Sequence, residues 1–258
     1  MSIREVYCIA VFCCICLCSC HQATENNSPI TSYPSLPALT VPWTDQNSIV
    51  CFGTSLTYGY GAGGRGGIPG PVWAGSPGNN TVVVDSSYPR FLQEELRINV
   101  FNQGYVGAEA SDGITLLNDS VLSKKPVIVL LEFGANEILR EVAVHEADSV
   151  LSLLIVDIAQ SGSQVVLMSF INPAMTRFMR NGYWTTQDSI RAIEYYNMLS
   201  DLSIRYSLPF ISYPLRGVFG YPQLMSDNLH PNGMGYKIME ENIYQALSAT
   251  FQKNGMLK

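Results

Sequence analysis

The sequence has 258 residues, a length that favours one globular domain with short appendages. Hydrophobic residues make up 47% of the chain and charged residues 14%, so the domain can bury a substantial core. The formal net charge of -6, with no basic cluster beyond Lys124-Lys125, excludes the basic surface of a nucleic-acid-binding protein.

The first twenty residues contain six of the seven cysteines and, after Arg4, an almost uncharged apolar run over residues 6–17. Such a run is typical of a secretory signal peptide and is too short to span a membrane. Its end, Leu17-Cys18-Ser19-Cys20, resembles the lipobox of bacterial lipoproteins. The resemblance implies that residues 1–19 are removed and that a lipid on Cys20 anchors the protein in the bacterial cell envelope. A cleaved signal without lipid and an uncleaved hydrophobic N-terminus are the alternatives.

Residues 20–44 are rich in Ser, Thr, Asn and Pro and lack periodic apolar spacing, which predicts a flexible tether. The folded domain is expected over residues 45–252. Processing at Cys20 would leave Cys51 as the only other thiol, so no disulfide framework is expected. Cys51 is interpreted as a small buried hydrophobic residue.

Short apolar runs alternate with helical patterns along this domain. Runs such as VIVLLEF and QVVLMSF are nearly continuously apolar, as in strands covered on both faces, and their alternation with helices predicts parallel βαβ units in a single α/β domain. The predicted strands cover residues 48–52, 98–102, 127–133, 164–170 and 209–212. The predicted helices cover residues 88–96, 112–122, 138–159, 187–206 and 232–251, the last with Pro231 at its start.

Ligands of open α/β sheets bind outside the carboxyl ends of the strands, so the residues that follow each strand are candidates for a site. Four segments occupy such positions in order along the chain. They are Gly53-Thr54-Ser55, Asn102-Gln103-Gly104, Gly134-Ala135-Asn136 and, ahead of the last helix, Asp227-Asn228-Leu229-His230-Pro231.

At these segments the chain resembles the SGNH, or GDSL-type, hydrolases. Three segments are similar to the branch of thioesterase I, arylesterases and lysophospholipases, namely SYPRFLQEEL, LLEFGANEILR and DNLHPNGMGYKIMEENIYQAL. The resemblance implies a three-layer αβα fold around a central, mainly parallel five-stranded sheet. It also implies a serine ester hydrolase that uses no cofactor.

The residue types fit nucleophilic catalysis. A serine hydroxyl is a weak nucleophile unless a base removes its proton, and histidine has the unperturbed pKa closest to neutrality. His230 is the candidate base, since His21 lies in the tether and His145 among acidic residues of a predicted helix. Asp227, three residues before His230, can accept a hydrogen bond from the imidazole. We therefore predict Ser55, Asp227 and His230 as catalytic residues; a turn serine and a loop or capping aspartate are the alternatives.

The resemblance further implies an oxyanion hole made by the backbone N–H groups of Ser55 and Gly104 and by the side-chain amide of Asn136. A turn glycine and a helix N-cap are the structural alternatives for Gly104 and Asn136. Two residues depart from the family pattern, because Thr54 and Glu137 stand where the family has aspartates. We expect Thr54 to alter loop rigidity or activity without abolishing activity, and Glu137 to keep a negative charge near a helix N-terminus.

Three further features bear on the site. Residues 59–87 form a long segment rich in glycine and proline, interpreted as a flap. The apolar residues of the predicted helix 187–206 are either core or the lining of an acyl pocket. His, Cys and Asp do not cluster at the spacing of metal ligands, so no metal is expected.

The sequence thus favours a serine esterase that acts on small acyl esters, thioesters or lysophospholipids through an acyl-enzyme. A carbohydrate O-acetylesterase is one alternative, because the same superfamily deacetylates polysaccharides. A non-catalytic surface binding protein that has kept the fold is the other. The membrane would be a partner only through the lipid anchor, and the sequence does not indicate an oligomeric state.

Overall fold

Five parallel strands form the central sheet in the computed structural model, which describes residues 42–44, 46–64, 85–171 and 185–258. The strands lie side by side in the order β2-β1-β3-β4-β5. They are β1 (Ser48–Gly53), β2 (Asn99–Gly104), β3 (Pro126–Glu132), β4 (Gln164–Met168) and β5 (Phe210–Ile211). The predicted α/β class with a parallel five-stranded sheet is confirmed.

Seven α-helices accompany the strands in the described part of the chain. They are α1 (Ser55–Tyr58), α2 (Tyr88–Glu95), α3 (Ala110–Ser120), α4 (Ala135–Leu139), α5 (Val144–Gln160), α6 (Thr186–Arg205) and α7 (Gly233–Lys253). Helix α5 packs against both α3 and α6, whereas α2 packs against α7. The two groups of helices form the outer layers of a single α/β domain.

Every residue of β1 and of β3 is buried, as expected for central strands with helices on both faces. Cys51 lies in β1 with no exposed surface and is a free thiol, which confirms its interpretation as a core residue. Burial raises the pKa of this thiol to about 12, although a hydrogen bond with Tyr88 acts in the opposite direction. A thiol of this kind stays protonated and unreactive.

Two helices differ from their predicted extent. The predicted helix 138–159 is interrupted, because Glu141 adopts a left-handed backbone conformation with φ of 61° and separates α4 from α5. Helix α7 begins after Asn232, whose side chain accepts hydrogen bonds from the backbone N–H groups of Met234 at 3.0 Å and Gly235 at 3.1 Å. Pro231 therefore lies before the N-cap and not in the first turn.

Hydrogen bonds hold both ends of the domain. The Arg97 N–H donates to the Met256 carbonyl at 2.8 Å, so residues beyond the predicted end at 252 pack onto the domain. At the other end, the Trp43 indole N–H donates to the Asn254 carbonyl at 2.6 Å. The predicted signal peptide, Cys20 and most of the predicted tether lie outside the described residues. Among the described helices, none combines the length and the apolar character that crossing a membrane requires.

The strand order fixes where a site can form. From β1 the chain passes to β2 on one side and later to β3 on the other, so the loops after these strands diverge around the carboxyl end of β1. This divergence is the switch point at which open α/β sheets bind their ligands. The segments after β1, β2 and β3 are the ones that sequence analysis selected.

Candidate active site

Ser55 occupies a sharp turn between β1 and α1. It is the first residue of a helix of four residues, and Thr54 before it is extended. Gly59 ends the helix in the left-handed conformation with φ of 85°, and its N–H donates to the carbonyls of Ser55 and Leu56. The chain thus turns tightly on both sides of a serine whose residue surface is only 9% exposed.

The Ser55 side chain meets His230, which lies 175 positions away in the sequence. The distance from Ser55 Oγ to His230 Nε2 is 3.0 Å, and that from His230 Nδ1 to Asp227 Oδ2 is 2.9 Å. The structure therefore places the three predicted residues in one hydrogen-bonded chain. This geometry lets the imidazole take the serine proton while the carboxylate holds the other ring nitrogen.

The loop that carries Asp227 and His230 folds around the aspartate. Asp227 Oδ1 accepts hydrogen bonds from the backbone N–H groups of Leu229 and His230, both at 2.7 Å. Partial burial alone would raise the pKa of Asp227, but hydrogen bonds from the His230 ring and these N–H groups outweigh it and lower that pKa. The same carboxylate therefore shapes the loop and faces the imidazole in its ionised form.

Tyr60 is a neighbour of the site that the sequence analysis missed. Its ring centroid lies 4.5 Å from that of His230, at an interplanar angle of 43°. The Tyr60 N–H donates to the Ser55 carbonyl at 3.0 Å, and the Tyr60 carbonyl accepts from the Tyr236 hydroxyl at 3.0 Å. Tyr60 thus connects the serine turn, the histidine ring and α7, although its place in the turn gave no sign of this in the sequence.

A buried carboxylate lies beneath the serine turn. Glu132, the last residue of β3, has no exposed surface, and its carboxylate accepts hydrogen bonds from Thr54 and Thr57. Burial raises the pKa of Glu132 to about 7, although these hydrogen bonds act to lower it. The charge of Glu137 also raises this pKa. Burial raises the pKa values of the Tyr88 and Tyr236 hydroxyls, and the Glu132 charge adds to this shift. In the sequence, Glu132 stands out as a glutamate at the end of an otherwise apolar strand, but this position alone does not identify its partners.

The N–H of Gly104 is already occupied. It donates to the side-chain oxygen of Asn102 at 3.0 Å, within the turn that ends β2. An added Cβ at Gly104 would also collide with the backbone of Thr57 and Tyr58, so the glycine allows β2 to approach α1 closely. Gly104 is a turn and packing glycine in this structure, and its N–H is not available for the predicted oxyanion contact.

Gly107 lies further along the loop after β2, at the point where Asn136 of α4 contacts this loop. The Asn136 side-chain amide donates to the Ala108 carbonyl at 2.7 Å, and an Arg140 Nη donates to the Gly107 carbonyl at 2.8 Å. Gly107 has a φ of 78°, which favours glycine. In the part of the chain that the structure describes, no backbone carbonyl accepts a hydrogen bond from the N–H of Gly107 or of Ser55. Asn136 is the second residue of α4 and not its N-cap, which is Gly134.

A sequence profile of the GDSL-like lipase/acylhydrolase family matches residues 51–238, which include Ser55, Asn136, Asp227 and His230. The chain belongs to the GDSL-like lipase/acylhydrolase family. It is therefore a member of an ester hydrolase family. No functionally curated sequence matches it.

Several solved structures have the same fold. The lipase/acylhydrolase of Enterococcus faecalis is 24% identical with a TM-score of 0.55, over 82% of this chain and 97% of that one. TesA is 18% identical with a TM-score of 0.59, over 79% of this chain and 99% of its own. A catalytic mutant of Axe2, an acetylxylan esterase from Geobacillus stearothermophilus, is 16% identical with a TM-score of 0.56, over 78% and 94% of the two chains.

The two departures from the GDSL pattern have distinct surroundings. The Thr54 hydroxyl donates to Glu132, and Thr54 Oγ1 lies 3.4 Å from the Leu56 N–H at the start of α1. Glu137 lies in the first turn of α4, where its negative charge was expected. Its carboxylate accepts from the Ala110 N–H at 2.6 Å and from the Gly134 N–H at 3.0 Å. Glu137 therefore also joins the start of α3 to the turn that carries Asn136.

Helix α6 contributes to both the core and a small cavity. Tyr195 and Leu199 are buried, whereas Ile190 and Ile193 are exposed, so the apolar residues do not all face one pocket. The cavity is a shallow cleft between α6 and the ends of β3 and β4, with about 190 Å³ of space that includes open solvent. Most of the predicted flap, residues 65–84, lies outside the described residues. The described His, Cys, Asp and Glu residues form no group of three that could hold a metal ion.

Proposed function

We propose that this GDSL-like hydrolase is a serine esterase in which Ser55 is the nucleophile, His230 the general base and Asp227 the partner of the imidazole. The observation that carries the proposal is the hydrogen-bonded chain from Ser55 Oγ through His230 to Asp227, with distances of 3.0 and 2.9 Å. Three side chains of these types in this order form the arrangement that makes a serine hydroxyl nucleophilic near neutral pH.

The reaction proceeds in two half-reactions. His230 Nε2 accepts the Ser55 proton as Oγ attacks the ester carbonyl carbon, and a tetrahedral intermediate forms. The imidazolium then gives this proton to the alkoxide leaving group, which departs as an alcohol and leaves an acyl-serine. Water attacks the acyl-serine while His230 again accepts a proton, and return of this proton to Ser55 Oγ releases the carboxylic acid.

Asp227 keeps the imidazole in the productive tautomer. Its carboxylate accepts the Nδ1–H, so Nε2 is left to accept the proton of Ser55. The lowered pKa of Asp227 keeps it ionised when His230 becomes positively charged. The negative charge then stabilises the imidazolium that forms during attack.

The oxyanion of the intermediate is bound by the backbone N–H groups of Ser55 and Gly107 and by the Asn136 side-chain amide. Gly107 replaces Gly104 in this role because the Gly104 N–H is occupied by Asn102. One hydrogen of the Asn136 amide bonds the Ala108 carbonyl, which fixes the orientation of the amide and leaves its second hydrogen for the substrate. Donors fixed in this way need little reorganisation when charge develops.

Hydrolysis of a graded ester panel tests the proposal. We expect the purified protein to hydrolyse p-nitrophenyl esters and the Ser55→Ala variant to be inactive on all of them. Lysophospholipid, acyl-CoA and acetylated xylan in the same panel separate the proposed acyl esterase or thioesterase from a carbohydrate O-acetylesterase. Wild-type protein as inert as Ser55→Ala on every substrate would contradict the proposal and favour the binding protein.

We also propose that the mature protein begins at Cys20, carries a lipid there, and extends through a tether over residues 20–44 to the hydrolase domain. The lipobox-like Leu17-Cys18-Ser19-Cys20 supports this proposal. In a bacterial host, the wild-type protein should enter the detergent phase of a phase partition and Cys20→Ala should not. Recovery of both proteins in the aqueous phase would contradict lipidation.

A further inference from the structure

We propose that Glu132 is a positioning residue of this active site, whose buried carboxylate holds the turn that presents Ser55 to His230. The inference rests on the proposed function and adds to it a residue outside the four segments that sequence analysis selected. Glu132 would act through the serine turn, without contact to substrate.

The carboxylate binds the turn on both sides of Ser55. Glu132 Oε2 accepts from the Thr54 N–H at 3.0 Å, and the Thr54 hydroxyl lies 3.1 and 3.0 Å from the two carboxylate oxygens. The Thr57 hydroxyl donates to Oε2 at 3.0 Å. Thr54 directly precedes Ser55 and Thr57 follows it by two residues, so three hydrogen bonds fasten a helix that has only one turn.

Gly53 shows how closely the carboxylate and the turn fit. Gly53 pairs with Glu132 in the register of β1 and β3. An added Cβ at Gly53 would lie 2.6 Å from Thr57 Oγ1 and 2.7 Å from Glu132 Oε2, and it would also collide with the Glu132 carbonyl. The volume that a side chain at position 53 would need is therefore filled by Glu132 and by the threonine that it binds.

The Glu132 carboxylate is held by neutral donors. No Lys, Arg or His in the described residues forms an ion pair with it. Burial of a carboxylate without a cation opposes folding, and loss of the carboxylate would leave buried donors without an acceptor. Thr57 is in turn hydrogen-bonded to the Tyr88 hydroxyl at 3.2 Å, which connects the turn to α2.

The consequence for catalysis is geometric. The Ser55 hydroxyl must stay within hydrogen-bonding distance of His230 and point at the substrate carbon, and a displacement of roughly 1 Å can cost about 100-fold in rate. A serine turn that is released from Glu132 has lost the contacts that join it to β3. We therefore expect Glu132 substitutions to lower kcat, with little change in KM.

The test measures kcat, KM and the rate at which a fluorophosphonate labels Ser55. The variant Glu132→Gln keeps the size of the side chain but presents an amide N–H₂ to donors that need an acceptor. It should lower kcat about 10- to 100-fold and change KM less than about threefold, with an equal loss in the labelling rate. Circular dichroism and thermal melting show whether the variant folds.

Matched variants separate positioning from general destabilisation. Glu240 is a second buried carboxylate, on α7, and pairs with Lys237 at 2.7 Å. Glu240→Gln should keep the wild-type kcat even if it lowers the melting temperature. Thr57→Val removes the hydroxyl that binds Glu132, and Thr57→Ser retains it, so Thr57→Val should lose more kcat than Thr57→Ser. This pair carries the test if Glu132→Gln does not fold.

The outcomes distinguish the two proposals. If the wild type hydrolyses esters through Ser55 while Glu132→Gln folds and keeps the wild-type kcat and labelling rate, the positioning role is overturned and the proposed function stands. Equal kcat in Thr57→Val and Thr57→Ser also overturns the positioning role. If the wild type is inert and Ser55 is not labelled, the proposed function is overturned and the role of Glu132 with it.

Discussion

Two carboxylates support the site, one bound to the serine turn and one bound to the imidazole, and their surroundings shift their pKa values in opposite directions. Glu132 lies under the serine turn, fully buried, and burial raises its pKa to about 7. Asp227 is partly exposed beside His230, and hydrogen bonds from the imidazole and two backbone N–H groups lower its pKa although partial burial opposes them. One carboxylate is held by neutral donors and the other by a group that becomes positively charged.

The two halves of the site are therefore built by different kinds of contact. Asp227 and His230 are three residues apart, and the loop between them closes on the aspartate itself. Glu132 reaches Thr54 across 78 positions of sequence, through the pairing of β1 with β3. The histidine side is thus local in sequence, whereas the serine side depends on the sheet.

The largest effect is expected from Asp227→Asn. The asparagine oxygen can still accept the two backbone N–H groups, so the loop should keep its shape, but the imidazole loses its negatively charged partner. We expect kcat to fall by about 10³- to 10⁴-fold, while the variant stays folded with a somewhat lower melting temperature at neutral pH. Steady-state kinetics on a p-nitrophenyl ester measures this loss, and a variant within tenfold of the wild type would show that Asp227 only shapes the loop.

The next effect is expected from Asn136→Ala, which removes one of the proposed oxyanion donors. We expect kcat to fall by roughly 100- to 1000-fold with KM changed little, because the interaction forms only as charge develops on the carbonyl oxygen. The comparison of kcat with KM measures it. A rise in KM with unchanged kcat would instead indicate that the Asn136 amide binds the substrate before charge develops.

The third prediction uses the opposite pKa shifts. The ordinary pKa of a glutamate is 4.5, and in the folded protein the pKa of Glu132 is about 7. Between these two pH values the folded protein keeps a proton on Glu132 that the unfolded chain has lost. The free energy of unfolding of the wild type, relative to Glu132→Gln, should therefore fall with rising pH in this window, by about 1.4 kcal/mol per pH unit and about 3 kcal/mol in total.

The stability of the wild type relative to Asp227→Asn should change with pH in the opposite direction, and urea unfolding at a series of pH values measures both differences. The pKa of Asp227 is lowered in the folded state from its ordinary value of 3.8. Its contribution to stability is therefore present above that value and lost as the pH falls below it. A stability difference between wild type and Glu132→Gln that is constant with pH, or that rises with it, would contradict the description of Glu132.

The smallest effect is expected from Arg140→Ala. Arg140 donates to the Gly107 carbonyl and pairs with Glu109 at 2.9 Å, on a side chain that is half exposed. Its loss should loosen the loop that presents the Gly107 N–H and lower kcat about threefold, as expected for an exposed contact. Arg90→Ala, which removes an exposed pair with Glu94 on α2, is the matched control and should leave kcat unchanged. Equal kcat values in the two variants would show that Arg140 does not contribute to catalysis.

Much of the fold could be predicted from sequence because its signals are local. The apolar runs of β1 and β3 are buried along their whole length, and the alternation of strands and helices fixed the parallel class. The break between α4 and α5 was missed, since the left-handed residue is Glu141, and glutamate gives no warning of such a conformation. The Asn232 cap was missed because Pro231 offered a more familiar start.

In the site, too, features with a local sequence signal could be predicted and features that depend only on tertiary contacts could not. The spacing of Asp227 and His230 is local, whereas their convergence with Ser55, 175 positions away, was predicted from the positions after the strands and from the resemblance. Glu132 could not be assigned, because its partners are fixed only by the register of β1 and β3. The Gly104 N–H was assigned to the oxyanion by resemblance, and its hydrogen bond with Asn102 depends on a turn geometry that one sequence does not reveal.

The proposed nucleophile is tested most directly by covalent labelling with a fluorophosphonate, followed by mass mapping of the modified peptide. We expect a single adduct on Ser55, no adduct in Ser55→Ala, and much slower labelling in His230→Ala, since the 3.0 Å contact between Ser55 Oγ and His230 Nε2 is what activates the serine. An adduct on another residue, or labelling of Ser55 that proceeds at the wild-type rate in His230→Ala, would contradict the account.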